Sequence, residues 1–163
     1  MIAPNNRYVN DAKIAQAVVI MLAKINIKVD LVTMPKAQYW KKYDQASSDL
    51  MMLGWHSDTE DSANFSEMLA MCRNPDSGYG RYNGGHYCNP EVDRLVSASA
   101  KQTNLKKRTQ MLQQVEQILY QDAAFVPLHW QHLAWGARKG INIKDVLTVM
   151  NIPYLADLVV AQP

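Results

Sequence analysis

Leu50-Met51-Met52-Leu53-Gly54-Trp55-His56-Ser57-Asp58 is the most telling stretch of the chain. Four continuous apolar residues bounded by glycine suit a strand buried on both faces, as in a parallel sheet covered by helices. In open α/β sheets, ligands gather just beyond the carboxyl ends of such strands. Here that end carries Trp55, a flat ring with little conformational freedom, and Asp58, a carboxylate able to hold an ammonium group or a cation. The pairing speaks for recognition more than for catalysis. A plainer reading places Trp55 in the core and makes Asp58 the cap of a helix starting near Ser62 or Asn64.

Upstream, Met1-Ile2-Ala3-Pro4 reads as the last residues of a strand whose beginning lies outside the chain, so a fragment is expected. From Asn10, a plausible cap, the spacing of Ile14, Val18, Met21, Leu22 and Ile25 predicts a helix with one buried face. Asn26 can adopt the left-handed conformation that ends helices. Alternation over Lys28 to Met34 predicts a strand stopped by Pro35. An aromatic-rich helix from Ala37 to Gln45 leads to the strand Asp49 to Leu53. Right-handed crossovers then put the three strands in one parallel sheet, an α/β arrangement with the Trp55 end as its carboxyl edge.

Downstream, Ser62 to Met71 reads as a short helix. The stretch Cys72 to Cys88 reads as a loop, with Asn74-Pro75-Asp76-Ser77-Gly78 and Asn83-Gly84-Gly85 as turn signals. Asn89-Pro90-Glu91 starts another helix, with Val92, Leu95 and Val96 facing inward. The clearest amphipathic stripe, Met111, Leu112, Val115, Ile118 and Leu119, predicts a helix over Leu105 to Asp122. Phe125 to Ala137 reads as extended, and the tail from Lys139 ends in the apolar run Leu158-Val159-Val160.

Composition bounds the function. At 163 residues and 48% hydrophobic, the chain can build one real core but hardly two comfortable domains. With 17 basic and 15 acidic residues the net charge is only +2, and Lys106-Lys107-Arg108, the one dense basic run, reads as a solvated helix face. Nucleic acid is therefore not expected as a partner. No apolar stretch approaches the roughly 18 residues of a membrane span, and Met1-Ile2-Ala3 lacks the basic and apolar regions expected of a signal peptide.

No enzyme signature stands out. The four histidines, His56, His86, His129 and His132, lie outside any Gly-x-Ser-x-Gly, His-Glu-x-x-His or phosphate-loop pattern. Cys72 and Cys88 bracket the glycine-rich loop and can form a disulfide, stay free, or join His86 and His56 around a metal. The metal alternative fits poorly, because the paired Cys-x-x-Cys knuckle is missing. A thiol hydrolase using Cys72 or Cys88 with His86 is the rival enzyme reading. Most of the nine methionines fall on predicted core faces, where they fill space. No cofactor is expected.

Several soft motifs occur in a specific order. They are Asn6-Arg7-Tyr8-Val9-Asn10-Asp11, Gly54-Trp55 followed by Asp58, Asn89-Pro90-Glu91-Val92-Asp93, and Lys107-Arg108. Gln117-Ile118-Leu119-Tyr120-Gln121-Asp122-Ala123-Ala124 follows, leading to Val126-Pro127-Leu128-His129. In this order the chain resembles the extracytoplasmic solute-binding proteins, family 5, that serve peptide, dipeptide and nickel ABC transporters. The resemblance implies a periplasmic-binding-protein-like lobe, a mainly parallel sheet flanked by helices. Residues 1–127 would form the carboxyl-terminal ligand-binding lobe, and residues 128–163 would be hinge-crossing strands and a tail completing an absent first lobe.

The resemblance also assigns roles. Asp58 would hold a peptide α-ammonium, Trp55 would line the side-chain pocket, and backbone near His56 and Ser57 would pair with the peptide main chain. Cys72 and Cys88 match a cysteine pair of dipeptide-binding members, which favours the disulfide. Asn26 departs from the family's usual glycine. The implied partners are a peptide or peptide-like ligand and an ABC permease in the inner membrane; the implied location is the periplasm. Glutathione, an opine or a nickel chelate is the alternative ligand, and an interaction module docking on the permease is a third reading. Half a cleft should bind weakly, and an orphaned Tyr154–Val160 should be disordered, repack, or pair with another copy in a tail-mediated dimer.

Overall fold

In a computed structural model the described residues are 1–148, 150 and 152–159. The chain divides into two compact units, Met1–Val126 and Pro127–Pro163. In the first unit, β1 (Ile2–Pro4) pairs in parallel with β2 (Val32–Met34), Ile2 opposite Val32 and Pro4 opposite Met34. On the other side of β1, Ile2 forms a parallel bridge with Met51, its N–H donating to Leu50 O and its carbonyl accepting from Met52 N. The order β2, β1, residues 50–52 is the parallel arrangement expected, with β1 central.

Both outer strands are shorter than predicted: Lys28–Met34 contracts to Val32–Met34, and Asp49–Leu53 to a single bridge at Met51. Pro4 explains the second contraction. The next rung would need an N–H from Pro4 to Met52 O, and proline has none. The Met52 carbonyl accepts instead from the Tyr39 hydroxyl. The sheet thus stops where the site begins.

Helix α1 (Asp11–Ala23) runs between β1 and β2. Asn10 does not cap it; it sits left-handed at φ 57° with no side-chain bond to the helix. Asp11, buried at 3% exposure, takes the capping role in a different way. Its carboxylate accepts from the backbone N–H groups of Arg7 (2.9 Å), Tyr8 (3.0 Å) and Ala12 (2.8 Å). Asn26 does close the helix, at φ 64°, and Ile27 N returns to Leu22 O. The predicted buried face is only half realised. Ala15 is fully buried and Ile14 packs beside it with Ala3 and Met52, whereas Met21 and Ile25 remain 61% and 64% exposed. The sheet is too narrow to cover the far end of this helix.

Helix α2 (Lys36–Asp44) packs Tyr39 and Tyr43 against Ile2 and Met34, with Trp40, Met51 and Leu53 at the margin. Helix α3 (Ser62–Phe65) continues into a π-helical turn, Ser66–Ala70, where a single predicted helix was expected. Helix α4 (Pro90–Ala100) starts as read: the Asn89 side chain accepts from Glu91 N, and Pro90 occupies the first helical position. Helix α5 (Leu105–Gln121) is capped by Asn104. Val92, Leu95 and Val96 of α4 meet Val115 and Leu119 of α5, with Ala70 and Met71, in the largest core cluster.

The described residues of the second unit have little regular structure. They carry short 3-10 turns at Lys144–Val146 and Leu155–Asp157, and an antiparallel bridge joins Leu147 and Pro153. Residues 127–137, predicted extended, form no strand. Val160, the last residue of the apolar run read in the tail, lies outside the described residues, as does the chain beyond it.

Candidate functional site

Beyond Met52 the chain leaves the sheet at its carboxyl edge. Gly54 passes against Tyr8, whose hydroxyl donates to Gly54 O at 3.2 Å. A Cβ at Gly54 would lie 2.8 Å from the Tyr8 ring, so glycine permits this close approach. Arg7 lays its guanidinium 5.0 Å from the centroid of the same ring. The turn after β1 and the stretch after Met52 therefore meet at one edge.

Trp55 is half-buried and held from two sides. Its indole N–H donates to Asn64 Oδ1 at 3.0 Å, and its ring lies 5.5 Å from that of Tyr82, tilted by 53°. It belongs to none of the core clusters, so the core reading of this tryptophan does not hold. Asp58 is not a cap either. Asp61 caps α3, accepting from Ala63 N at 2.8 Å. Asp58 keeps 73% of its side chain exposed, and among the described residues no lysine or arginine reaches it. Its side-chain neighbour is His56, with Nδ1 3.7 Å from Oδ1.

Ser57 works inside the loop. Its hydroxyl donates to Asp61 O (3.0 Å), accepts from Asp61 N (3.2 Å) and lies 3.2 Å from the Thr59 hydroxyl. The side chain closes the turn, leaving its neighbours to face outward. Arg108 of α5 then ties the loop to the helical half, donating from Nη1 to Asp61 Oδ2 at 2.6 Å. The hydrogen bond from Arg108 holds the Asp61 carboxyl below its ordinary value, against partial burial. Arg108 is thus a structural partner, whereas Lys106 and Lys107 are exposed as the solvated-face reading had it. A depression of about 210 Å³ lies beside this pair, lined by Thr59, Asp61, Ala63, Asn64, Glu67 and Arg108.

Cys72 and Cys88 are joined in a disulfide, with Cα atoms 4.4 Å apart. With both sulfurs bonded, a thiol hydrolase has no nucleophile here, and that reading falls. His86 stands exposed near the end of the loop. Among the described residues no group of three or more His, Cys, Asp or Glu is placed to hold a metal ion. Among them too, no helix is long and apolar enough to cross a membrane.

The residues read from sequence as ligand-contacting, Trp55 to Asp58, do come together on one loop, but their supports went largely unread. Tyr8 falls inside a motif that gives it no role by itself, and Asn64 reads from sequence only as a helix start. Tyr82 and Tyr43 gave no local signal, because their contacts span the chain.

Residues 1–77 match the family model described as bacterial extracellular solute-binding proteins, family 5, middle region. Di/tripeptide-binding protein 1 of Pseudomonas aeruginosa (strain UCBPP-PA14) is 30% identical over 120 residues, which is 74% of this chain and 22% of that protein. The dipeptide-binding protein of Pseudoalteromonas sp. SM9913, solved with Met-Leu, superposes with a TM-score of 0.67 at 24% identity, covering 76% of this chain and 24% of that one. NikZ of Campylobacter jejuni, solved with Ni(L-His), gives 0.63 at 18% identity, covering 76% and 24%. These likenesses show a common fold, and the chain spans less than a quarter of the length of these relatives.

Proposed function

From the premise that the chain belongs to the bacterial extracellular solute-binding proteins of family 5, we propose that it forms part of the substrate-binding component of an ABC importer. It captures peptides or peptide-like solutes and presents them to a permease in the inner membrane. No bond is made or broken, so the chain is not an enzyme. The Cys72–Cys88 disulfide suits an oxidising compartment such as the periplasm. Residues 1–127 would be the ligand-binding lobe and residues 128–163 would complete a second lobe, a division within one residue of the boundary between the two compact units.

One observation carries the reading: a tryptophan fixed by Asn64 and Tyr82 stands three residues from a solvent-facing aspartate that has no lysine or arginine partner among the described residues. A carboxylate so placed can pair with a peptide ammonium, a contact worth about 1.5 to 3 kcal/mol when desolvated. The Trp55 ring offers an apolar wall for the neighbouring side chain. Main-chain groups of His56 and Ser57 follow the last rung of the sheet and suit pairing with an extended peptide.

The test is a titration of the 15N-labelled chain with L-methionyl-L-leucine and with its N-acetylated form. With one side of the ligand left in water, the dissociation constant should fall in the millimolar range, at a free energy of roughly −4 kcal/mol. The Trp55 indole N–H and the amides of residues 56–58 should shift with the free dipeptide and not with the acetylated one. Asp58→Asn should abolish the response while leaving the melting temperature in place. Equal shifts with both peptides would overturn the ammonium role of Asp58.

A second reading has its own support. The His56 imidazole beside the Asp58 carboxylate offers one nitrogen and one oxygen donor, which suits a partly coordinated metal chelate. In that case Ni(L-His), not the dipeptide, would perturb His56.

A further inference from the structure

We infer that Tyr82 is a positioning residue that carries the Cys72–Cys88 closure to the Trp55 ring, so that a disulfide-closed loop sets the plane of the proposed ligand wall. The functional meaning rests on the ligand reading of Trp55; the coupling rests on geometry alone.

The main chain around Tyr82 is held on every side. Its N–H donates to Met68 O at 2.9 Å, and its carbonyl accepts from the Tyr43 hydroxyl at 2.7 Å and from Gly84 N at 3.0 Å. Two glycines allow this fit. Gly80 sits at φ +62° where a Cβ would lie 2.4 Å from Met71 O, and a Cβ at Gly84 would lie 2.6 Å from the Tyr43 ring. The next residue, Asn83, is buried and bonds both stems of the loop. Its amide donates to Met71 O (3.0 Å) and Tyr87 O (2.6 Å), and its oxygen accepts from Tyr87 N (3.1 Å). Met71 and Tyr87 are the neighbours of the bonded cysteines, so the disulfide and Asn83 brace the same two points.

From this braced position the Tyr82 ring meets Trp55 at 5.5 Å. Arg81 places its guanidinium 5.5 Å from the Tyr82 centroid, steadying the ring further. The bond from Trp55 to Asn64 fixes one point of the indole but leaves it able to pivot about the N–H. Tyr82 removes that freedom through its ring face; its hydroxyl has no bonded partner among the described residues. Phenylalanine should therefore replace it and alanine should not.

The experiment is 19F NMR of the whole chain labelled with 5-fluorotryptophan. Its four tryptophans are Trp40, Trp55, Trp130 and Trp135, and the Trp55 resonance is identified by its loss in Trp55→Phe. Tyr82→Ala should shift and broaden that resonance while Trp40, packed on α2, stays in place; Tyr82→Phe should restore it. The Cys72→Ser/Cys88→Ser double variant should move the same resonance in the same direction. Should that variant not fold, Tyr82→Ala decides the matter with the disulfide intact. A Trp55 resonance unmoved in folded Tyr82→Ala overturns the inference.

The peptide arm separates this inference from the reading beneath it. Titrated with L-methionyl-L-leucine, Tyr82→Ala should bind about three- to tenfold more weakly, the range of one aromatic pair. A moved resonance with unchanged peptide binding upholds the coupling and counts against Trp55 as the ligand wall.

Discussion

At the scale of single residues, Asp61 does more than any residue picked out from the sequence. It caps α3, holds Ser57 through its backbone and pairs with Arg108 across the fold. The sequence points to Asp58 as the cap of a helix starting near Ser62 or Asn64, not to Asp61, because four capping residue types crowd seven positions and only the tertiary partner chooses among them. Asp61→Ala should cost about 1–2 kcal/mol, combining a lost cap with a partly exposed ion pair, as measured by urea denaturation. The pH dependence follows from the Arg108 bond, which depresses the Asp61 carboxyl in the folded state below its ordinary 3.8. The stabilisation is full above the unfolded value and is lost as pH falls through the lower folded value. The gap in denaturation midpoint between Asp61→Ala and the parent should therefore narrow as the pH is taken down from 6 into the acid range.

At the scale of elements, helices were more legible than strands. Helices α4 and α5 carry their own caps and apolar stripes, so local sequence suffices to place them. The strand at 49–53 was readable in type and in partner but not in length, since its end is set by Pro4, nearly fifty residues away. The Tyr39 hydroxyl that replaces the missing rung is buried, and Tyr39→Phe would leave the Met52 carbonyl without its donor. That variant should lose about 1–3 kcal/mol in denaturant titration. The loop Cys72 to Cys88 was legible as a loop with paired cysteines, and its inward contacts were not. Replacing both cysteines with serine opens a closed loop of separation 16 and should cost about 3 kcal/mol, read from the melting of the double variant against the parent.

At the scale of the whole molecule, the core clusters found among the described residues lie in Met1–Val126, and the later unit carries one further buried apolar residue among those described, Val146. A chain ending at Val126 should keep the cooperative thermal transition of the parent, checked by circular dichroism at 222 nm. Alkali tests the packing of the first unit as a body. Burial raises the tyrosine hydroxyls of Tyr39 and Tyr43, and burial followed by the Asp122 carboxylate pushes Tyr87 up to about 12. These groups keep their protons in the folded chain while the unfolded chain ionises near 10.0, so stability should fall as pH rises from 10 toward 12. Urea midpoints at pH 9 and pH 11 measure the drop. The exposed apolar end of α1, with Met21 and Ile25, was unforeseeable from periodicity, which reports that a face is apolar but not that the fold supplies a cover. Pro4 has a last consequence, for change over generations. Because the ladder ends at Met52, His56 and Asp58 contribute nothing to sheet or core. Mutations there should carry almost no folding penalty, so under the proposed reading the fold would be inherited intact while its ligand preference drifts.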